Sequence, residues 1–206
     1  SQLKERSLTW VGYLSTTGVY GDQQGRWVSE DDPANPGQPR SQRRHACEQA
    51  WLDSGLPVQI LRLPGIYGPG RSVLDSLRAE KARRILKADQ VFCRIHVDDI
   101  AGACLHLMHQ ATAGQWPAIV NVSDDCPAAP QDLLRYGAAL LNCELPNEEP
   151  FELASRSMSA MARSFWSENR RVRNTLLCQQ LGYALLHPDF KAGLQDCLRQ
   201  ESQSCS

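Results

Sequence analysis

Two apolar, β-rich runs flank a stretch free of glycine and proline, and this alternation constrains the fold more than anything else in the chain. Leu8-Thr9-Trp10-Val11-Gly12-Tyr13-Leu14 ends in the turn Ser15-Thr16-Thr17-Gly18. Residues 22 to 39 carry Asp22, Gly25, Asp31, Asp32, Pro33, Pro36, Gly37 and Pro39, which is loop chemistry. From Ser41 to Asp53 neither Gly nor Pro occurs, Ala46, Ala50 and Trp51 fall at helical spacing, and Gly55 marks the stop. Pro57-Val58-Gln59-Ile60-Leu61-Arg62-Leu63 reads as the next strand. Strand, helix and strand joined by short connections predict a βαβ unit of a parallel sheet over residues 8 to 63. Thr16 and Pro64 should then lie at the same carboxyl edge.

Beyond Pro64 the pattern predicts a turn-rich loop through Gly70 and a basic helix from about Val73 to Lys87 carrying Arg78, Lys81, Arg83 and Arg84. A short strand around Val91 to Ile95 follows, then a helix to about Gln110 capped by Asp98 or Asp99. Ile119-Val120-Asn121-Val122 is a short buried strand, and Pro130 or Gln131 opens a helix to about Leu141. Asn142 to Ser157, with Glu144, Glu148, Glu149 and Glu152, reads as an exposed acidic connection. Val172 falls in an extended piece, followed by helices near Asn174–Leu181 and Asp189–Gln200 and a frayed tail from Glu201.

Bulk properties exclude several function classes. A net charge of −1 gives no electrostatic case for nucleic acid or an anionic membrane, and no apolar run reaches the roughly 18–20 residues of a membrane helix. The N-terminal Ser1-Gln2-Leu3-Lys4-Glu5-Arg6 lacks the apolar core of a signal peptide. The eight cysteines include no Cys-x-x-Cys pair and no matching histidine spacing, so they read as small core residues in a reducing cytoplasm, with no metal site expected. His106 and His109 lie one helical turn apart, with nothing nearby to complete a site.

Strands that end in small hydroxyl residues present Oγ groups where open α/β proteins bind ligands. Ser15, Thr16 and Thr17 could donate there, although such clusters commonly serve as turn formers. The segment Ser15-Thr16-Thr17-Gly18-Val19-Tyr20-Gly21 resembles the active-site turn of the extended short-chain dehydrogenases, the NAD-dependent epimerase/dehydratase family. Four more segments resemble that family in order and spacing. They are Arg62-Leu63-Pro64-Gly65-Ile66-Tyr67-Gly68-Pro69-Gly70-Arg71, Arg94-Ile95-His96-Val97-Asp98-Asp99-Ile100-Ala101, Asn121-Val122-Ser123-Asp124-Asp125, and Ser167-Glu168-Asn169-Arg170-Arg171-Val172. The last is similar to an atypical subgroup.

The resemblance implies an α/β fold, a Rossmann-like parallel sheet with helices on both faces, incomplete at the N-terminus, plus a small substrate lobe. Residues 1–206 would be the C-terminal portion of a single NAD(P)-binding domain, with substrate-lobe segments at about 65–95 and 142–200. No Gly-x-Gly-x-x-Gly opens a helix after a strand. The cofactor, NAD or NADP, would therefore meet its pyrophosphate site in an N-terminal part of on the order of 80–100 residues, about three βα units. Thr16 would be the hydroxyl donor to the reacting oxygen, Arg44, Pro64 and Thr16 would contact cofactor, and Gly65, Tyr67 and Arg94 would contact substrate.

One departure divides the functional expectation. Counting back from Glu48, the family's catalytic Tyr and Lys positions hold Arg40 and Arg44. Arg44 can still donate to ribose hydroxyls, whereas Arg40 stays protonated and reads as a solvated first-turn residue. Tyr20 and Tyr67 lie in loops at the same edge, and Tyr67 is the substitute base to consider. Two functions remain open: an epimerase/dehydratase-like oxidoreductase of a sugar nucleotide or other small hydroxy or carbonyl compound, or a non-catalytic dinucleotide-binding or redox-sensing protein. The partner expected is a small molecule, with homodimerisation open.

Overall fold

The computed structural model describes residues 7–114 and 116–204. Strand β1 (Val11–Thr16) pairs in parallel with β3 (Val58–Leu63), in register from Val11↔Val58 to Thr16↔Leu63, and β3 pairs in parallel with β7 (Ile119–Asn121). Helix α1 (Pro39–Leu52) connects β1 to β3 after a two-residue strand β2 (Trp27–Val28). The expected strand, helix, strand unit is present, and Thr16 and Pro64 share the carboxyl edge.

Every residue of β3 is buried, and its alternating side chains supply two opposite layers. Leu61 and Leu63 join Ile95, Ile100, Ala103, Leu107, Val120 and Val122 in the main core beneath helix α3 (Val97–Thr112). Arg62 points the other way and meets α1. Helices thus cover both faces of the sheet. The inward face of α1 is polar: Ser41 and Glu48, two turns apart, are its buried residues, while Ala46 and Ala50 are exposed. Pro39 at the first turn suits a helix start, because its missing N–H would be unpaired there anyway.

Glu48 is fully buried and bonded by Arg62 Nη2 at 2.8 Å and by the Ser15 hydroxyl. The Arg62 guanidinium lies 4.7 Å from the Tyr20 ring centre, and the Tyr20 hydroxyl donates to Asn121 Oδ1 at 2.9 Å. One charge-balanced network therefore ties β1, α1, β3, β7 and the turn after β1 together.

A second assembly extends from the sheet's carboxyl edge. Strand β4 (Gly65–Tyr67) pairs with β6 (Arg94–His96), β5 (Arg84–Leu86) with β8 (Glu148–Pro150), and β2 with β9 (Arg171–Val172). Helices α2 (Val73–Arg78), α4 (Pro130–Leu141) and α7 (Phe190–Ser204) pack here, joined by α5 (Phe151–Ser157) and α6 (Ala160–Trp166). Tyr67, Leu74, Leu133, Phe190, Leu194 and Cys197 form its core. Gly137 lets α2 approach α4, since a Cβ there would sit 3.0 Å from Val73 Cγ1. No helix among the described residues is long and apolar enough to cross a membrane.

Five expectations are corrected. The basic helix stops at Arg78, and Glu80 takes a left-handed conformation (φ 54°). Arg83 and Arg84 lie instead beside Glu149 and Glu148, with Arg83 Nη2 2.7 Å from Glu149 Oε1. The acidic connection is accordingly partly structured, as β8 and α5: opposite charges on two remote segments pair across a strand. The cap of α3 is His96, whose Nδ1 accepts from the Asp98 N–H, while Asp99 is buried in another role. The stretch near Asn174–Leu181 forms a π-helical turn, Leu176–Gln180. Helix α7 continues through Ser204 rather than fraying at Glu201, with Arg78 paired to Glu201; residues 1–6, 205 and 206 lie outside the described residues.

Candidate active site

The turn after β1 begins the site. Thr16 Oγ1 accepts from the Gly18 N–H at 3.1 Å, capping a 3₁₀ turn over Thr17–Tyr20. A Cβ on Gly18 would stand 2.8 Å from Ser41 Oγ, so glycine allows α1 to approach the strand end closely. Seven stretches of the chain then converge at the carboxyl edge around a cavity of about 790 Å³, within the usual range for small-molecule sites. Thr16, Arg44, Pro64, Gly65, Tyr67 and Arg94, all marked from the sequence, line this single cavity, as does Arg40.

Their local environments differ. Arg44 is exposed at the rim, with Nη1 3.1 Å from the Tyr13 hydroxyl. Arg40 is not simply solvated, which corrects the expectation. Its Nη1 donates to Ser164 Oγ at 2.8 Å, and its guanidinium lies 3.9 Å from the centre of the Phe165 ring. An arginine on α1 thereby holds α6 across the cavity. Arg94 donates to the Phe92 and Ala128 carbonyls at 2.8 and 3.1 Å. Burial lowers its pKa, against the opposing pull of Asp124.

Tyr67 is buried, its hydroxyl donates to the Asp189 carbonyl at 3.4 Å, and burial raises its pKa, with Asp124 and other anions adding to the rise. A phenol held protonated in this way is poorly suited to exchange a proton near neutral pH. Tyr20 lies in the sheet network and has no part in the cavity wall. Burial also raises the Cys93 thiol to about 11, so this cavity-lining sulfur is not an activated nucleophile.

Several wall residues escaped the reading of the sequence as site residues. Arg71, Ser41, Phe165, Trp166, Glu168 and Arg170 all line the cavity. Glu168 is its one acidic lining residue; Oε2 accepts from Arg170 Nη1 at 2.7 Å, and Oε1 is buried with no hydrogen-bond partner. The Ser167–Val172 resemblance marked this stretch without assigning it a role. Behind Arg94, burial raises the Asp124 carboxyl to about 7, and its Oδ2 is likewise without a partner.

The chain is 28% identical over 181 residues to Protein YeeZ of Escherichia coli strain K12, an alignment covering 86% of this chain and 58% of that protein. A structure of a functionally unknown conserved protein from Silicibacter pomeroyi DSS matches with 43% identity and a TM-score of 0.85, over 93% of this chain and 66% of that one. Another, from Methylobacillus flagellatus, carries a provisional NAD-dependent epimerase/dehydratase assignment; it matches with 26% identity and a TM-score of 0.75, over 97% and 67% of the two chains. The present chain thus spans less than two thirds of the length of YeeZ and of the Silicibacter protein. The profile of the NAD dependent epimerase/dehydratase family matches residues 3–123, and with the parallel sheet and its carboxyl-edge cavity this establishes that the chain belongs to that family.

Proposed function

We propose that the protein carrying this chain is an NAD(P)-linked oxidoreductase of the epimerase/dehydratase kind, acting on a small anionic hydroxy or carbonyl compound, with a sugar nucleotide as the favoured class. Its support is the arginine excess of the cavity. Arg40, Arg44, Arg71, Arg94 and Arg170 line it against one carboxylate, Glu168, which Arg170 already neutralises. Guanidinium groups match the planar, bidentate geometry of phosphate and carboxylate oxygens.

Bound NAD(P) would supply hydride exchange at the carboxyl edge. With it in place, the Thr16 hydroxyl would donate to the reacting oxygen, Arg44 would donate to the cofactor's ribose hydroxyls, and Pro64 would border the cofactor. Gly65, Tyr67 and Arg94 form the substrate wall. Proton transfer falls to Glu168, the wall carboxylate with an unsatisfied oxygen, because Arg40 cannot release its proton and Tyr67 holds its own. Unpaired cysteines, seven among the described residues, suit a reducing compartment, and the cytoplasm is the proposed location.

The test is turnover by the full-length protein with NAD(P) and a panel of sugar nucleotides and small phosphorylated or carboxylated alcohols. Glu168→Gln should lower kcat by about 10²–10⁴, the usual contribution of a general acid or base, with little change in KM. Full activity of that variant would move the proton carrier elsewhere. The arginine at the tyrosine position favours a second reading, a non-catalytic dinucleotide binder. Tight NAD(P)H binding without turnover of any panel member would select it.

A further inference from the structure

Outside the cavity, two imidazoles and two carboxylates from three remote stretches meet where α7 packs on the head of α3. One ligand atom from each of His96, Asp98, His187 and Asp196 lies within 4.8 Å of all the others. His96, His187 and Asp196 are buried, and the two rings lie with centroids 3.9 Å apart and planes tilted by 40°. His187 Nε2 stands 3.3 Å from Asp196 Oδ2, and His96 Nδ1 stands 3.6 Å from Asp98 Oδ2. Ligand atoms on a tetrahedral zinc ion, at bonds of about 2.0–2.1 Å, are about 3.4 Å apart. The spacing of both pairs brackets that value.

The orientation of the rings matters more than their proximity. His187 Nδ1 lies 3.0 Å from Asp99 Oδ2, and the fully buried Asp99 also accepts from the Leu186 and His187 N–H groups. The Asp99 carboxylate holds His187 Nδ1 as a donor and leaves Nε2, 3.3 Å from Asp196 Oδ2, as the ring atom presented to a metal ion. Carboxylate–histidine pairs orient metal-bound imidazoles in this way. His96 Nδ1 likewise carries a lone pair, since it accepts the Asp98 N–H over a long 3.3 Å. At the centre of the cluster His187 Nε2 faces Asp196 Oδ2 at 3.3 Å, and a metal ion would take the place of the Gln200 amide on Asp196 and of the long Asp98 N–H bond on His96.

Charge points the same way. Asp98, Asp99 and Asp196 bring three carboxylates, against one mostly exposed guanidinium, Arg199, on Asp196 Oδ1. The Gln200 amide, which touches Asp196 and Asp98, is neutral.

We infer that His96, Asp98, His187 and Asp196 form a structural site for a divalent transition-metal ion, zinc by geometry and ligand type, which staples α7 to α3 and β6. Nitrogen and carboxylate ligands in a closed set of four suit that ion. The site lies behind the cavity rather than in it. Tyr67 stands edge-on to His96 at 5.2 Å between ring centres, and Leu194 of α7 forms part of the cavity wall. Metal binding would therefore set the position of that wall without touching substrate.

The experiment titrates zinc and cobalt(II) into the full-length protein after chelator dialysis. One equivalent should bind, cobalt should give the visible bands of a tetrahedral nitrogen–oxygen site, and zinc should raise Tm. Asp196→Asn and Asp98→Asn should each weaken binding by more than tenfold. The second variant changes a half-exposed side chain and keeps the protein testable should the first fail to fold. Asp99→Asn should weaken binding roughly 10–100-fold, the range for an orienting partner. Absence of cobalt bands together with an unchanged Tm at a hundredfold excess of zinc would overturn the site and leave a proton on His187 as the bridge. Equal zinc affinity in wild type and Asp98→Asn would overturn it too.

Discussion

Two buried polar clusters of this molecule, one in the β1–α1–β3 unit and one where α7 meets α3, are built on different principles. In the β1–α1–β3 unit, Glu48 faces Arg62, and Ser15, Tyr20 and Asn121 complete the hydrogen bonds. Charges balance and each donor meets an acceptor. At the α3–α7 junction three carboxylates, Asp98, Asp99 and Asp196, meet one guanidinium, Arg199, beside two imidazoles. The first arrangement is closed and fixes the sheet. The second calls for a proton or a cation, and burial alone therefore does not tell a structural cluster from a ligand-ready one.

The comparison breaks most readily at Arg62. Arg62→Met strands the Glu48 carboxylate at zero exposure and should cost about 3–5 kcal/mol in urea unfolding. The double variant Glu48→Gln, Arg62→Met should recover much of that loss, because no buried charge remains.

Behind Arg94, Asp124 should set a pH dependence of opposite sense to the usual carboxylate. Its carboxyl ionises at about 7 when folded, against 3.8 for the free group. Between those values the folded chain holds a proton that the unfolded chain has released. Unfolding free energy should therefore fall as pH rises from about 4 to about 7, by on the order of 4 kcal/mol, and level off above. Asp124→Asn should remove that slope in urea titrations across the window.

His187→Ala sharpens the contrast at intermediate size. It removes one charge-assisted hydrogen bond but leaves Asp99 with its backbone donors, so about 1.5–3 kcal/mol should be lost in metal-free protein. Addition of zinc should widen the gap to wild type. The smallest effect belongs to the surface. Arg83→Ala breaks a bidentate pair with Glu149 whose members are about two-fifths and one-third exposed, and thermal unfolding should register at most about 1 kcal/mol.

Legibility in the sequence followed the range of the interactions. The β1–α1–β3 unit could be read because alternation, loop residues and the Gly55 stop act within a few residues. The carboxyl edge followed from it, which is why Thr16, Pro64, Gly65, Tyr67 and Arg94 were found on one cavity wall. The run Val73–Lys87 was misread because its charges looked like a wet helix face, while their partners, Glu148 and Glu149, lie more than 60 residues away. Asp98 and Asp99 looked like caps for the same reason: a cap is the local use of a carboxylate, and His187, Asp99's true partner, is 88 residues on. Arg40 was expected in water because α6, with Ser164 and Phe165, gave no sign of folding back over α1.

By itself the sequence determined the parallel α/β order and the edge at which the cavity opens. These rest on backbone propensities, hydrophobic period and residue identity, all written locally along the chain. Only the tertiary structure decided which charges are paired, which protons are locked and which lone pairs face one another. Burial and distance set those properties, and both arise when segments such as Glu168–Arg170 and His187–Asp196 are carried back onto the sheet's carboxyl edge and the head of α3. In low-dielectric surroundings a shift of one ångström or one partner changes a carboxylate from a structural tie into a ligand or a base.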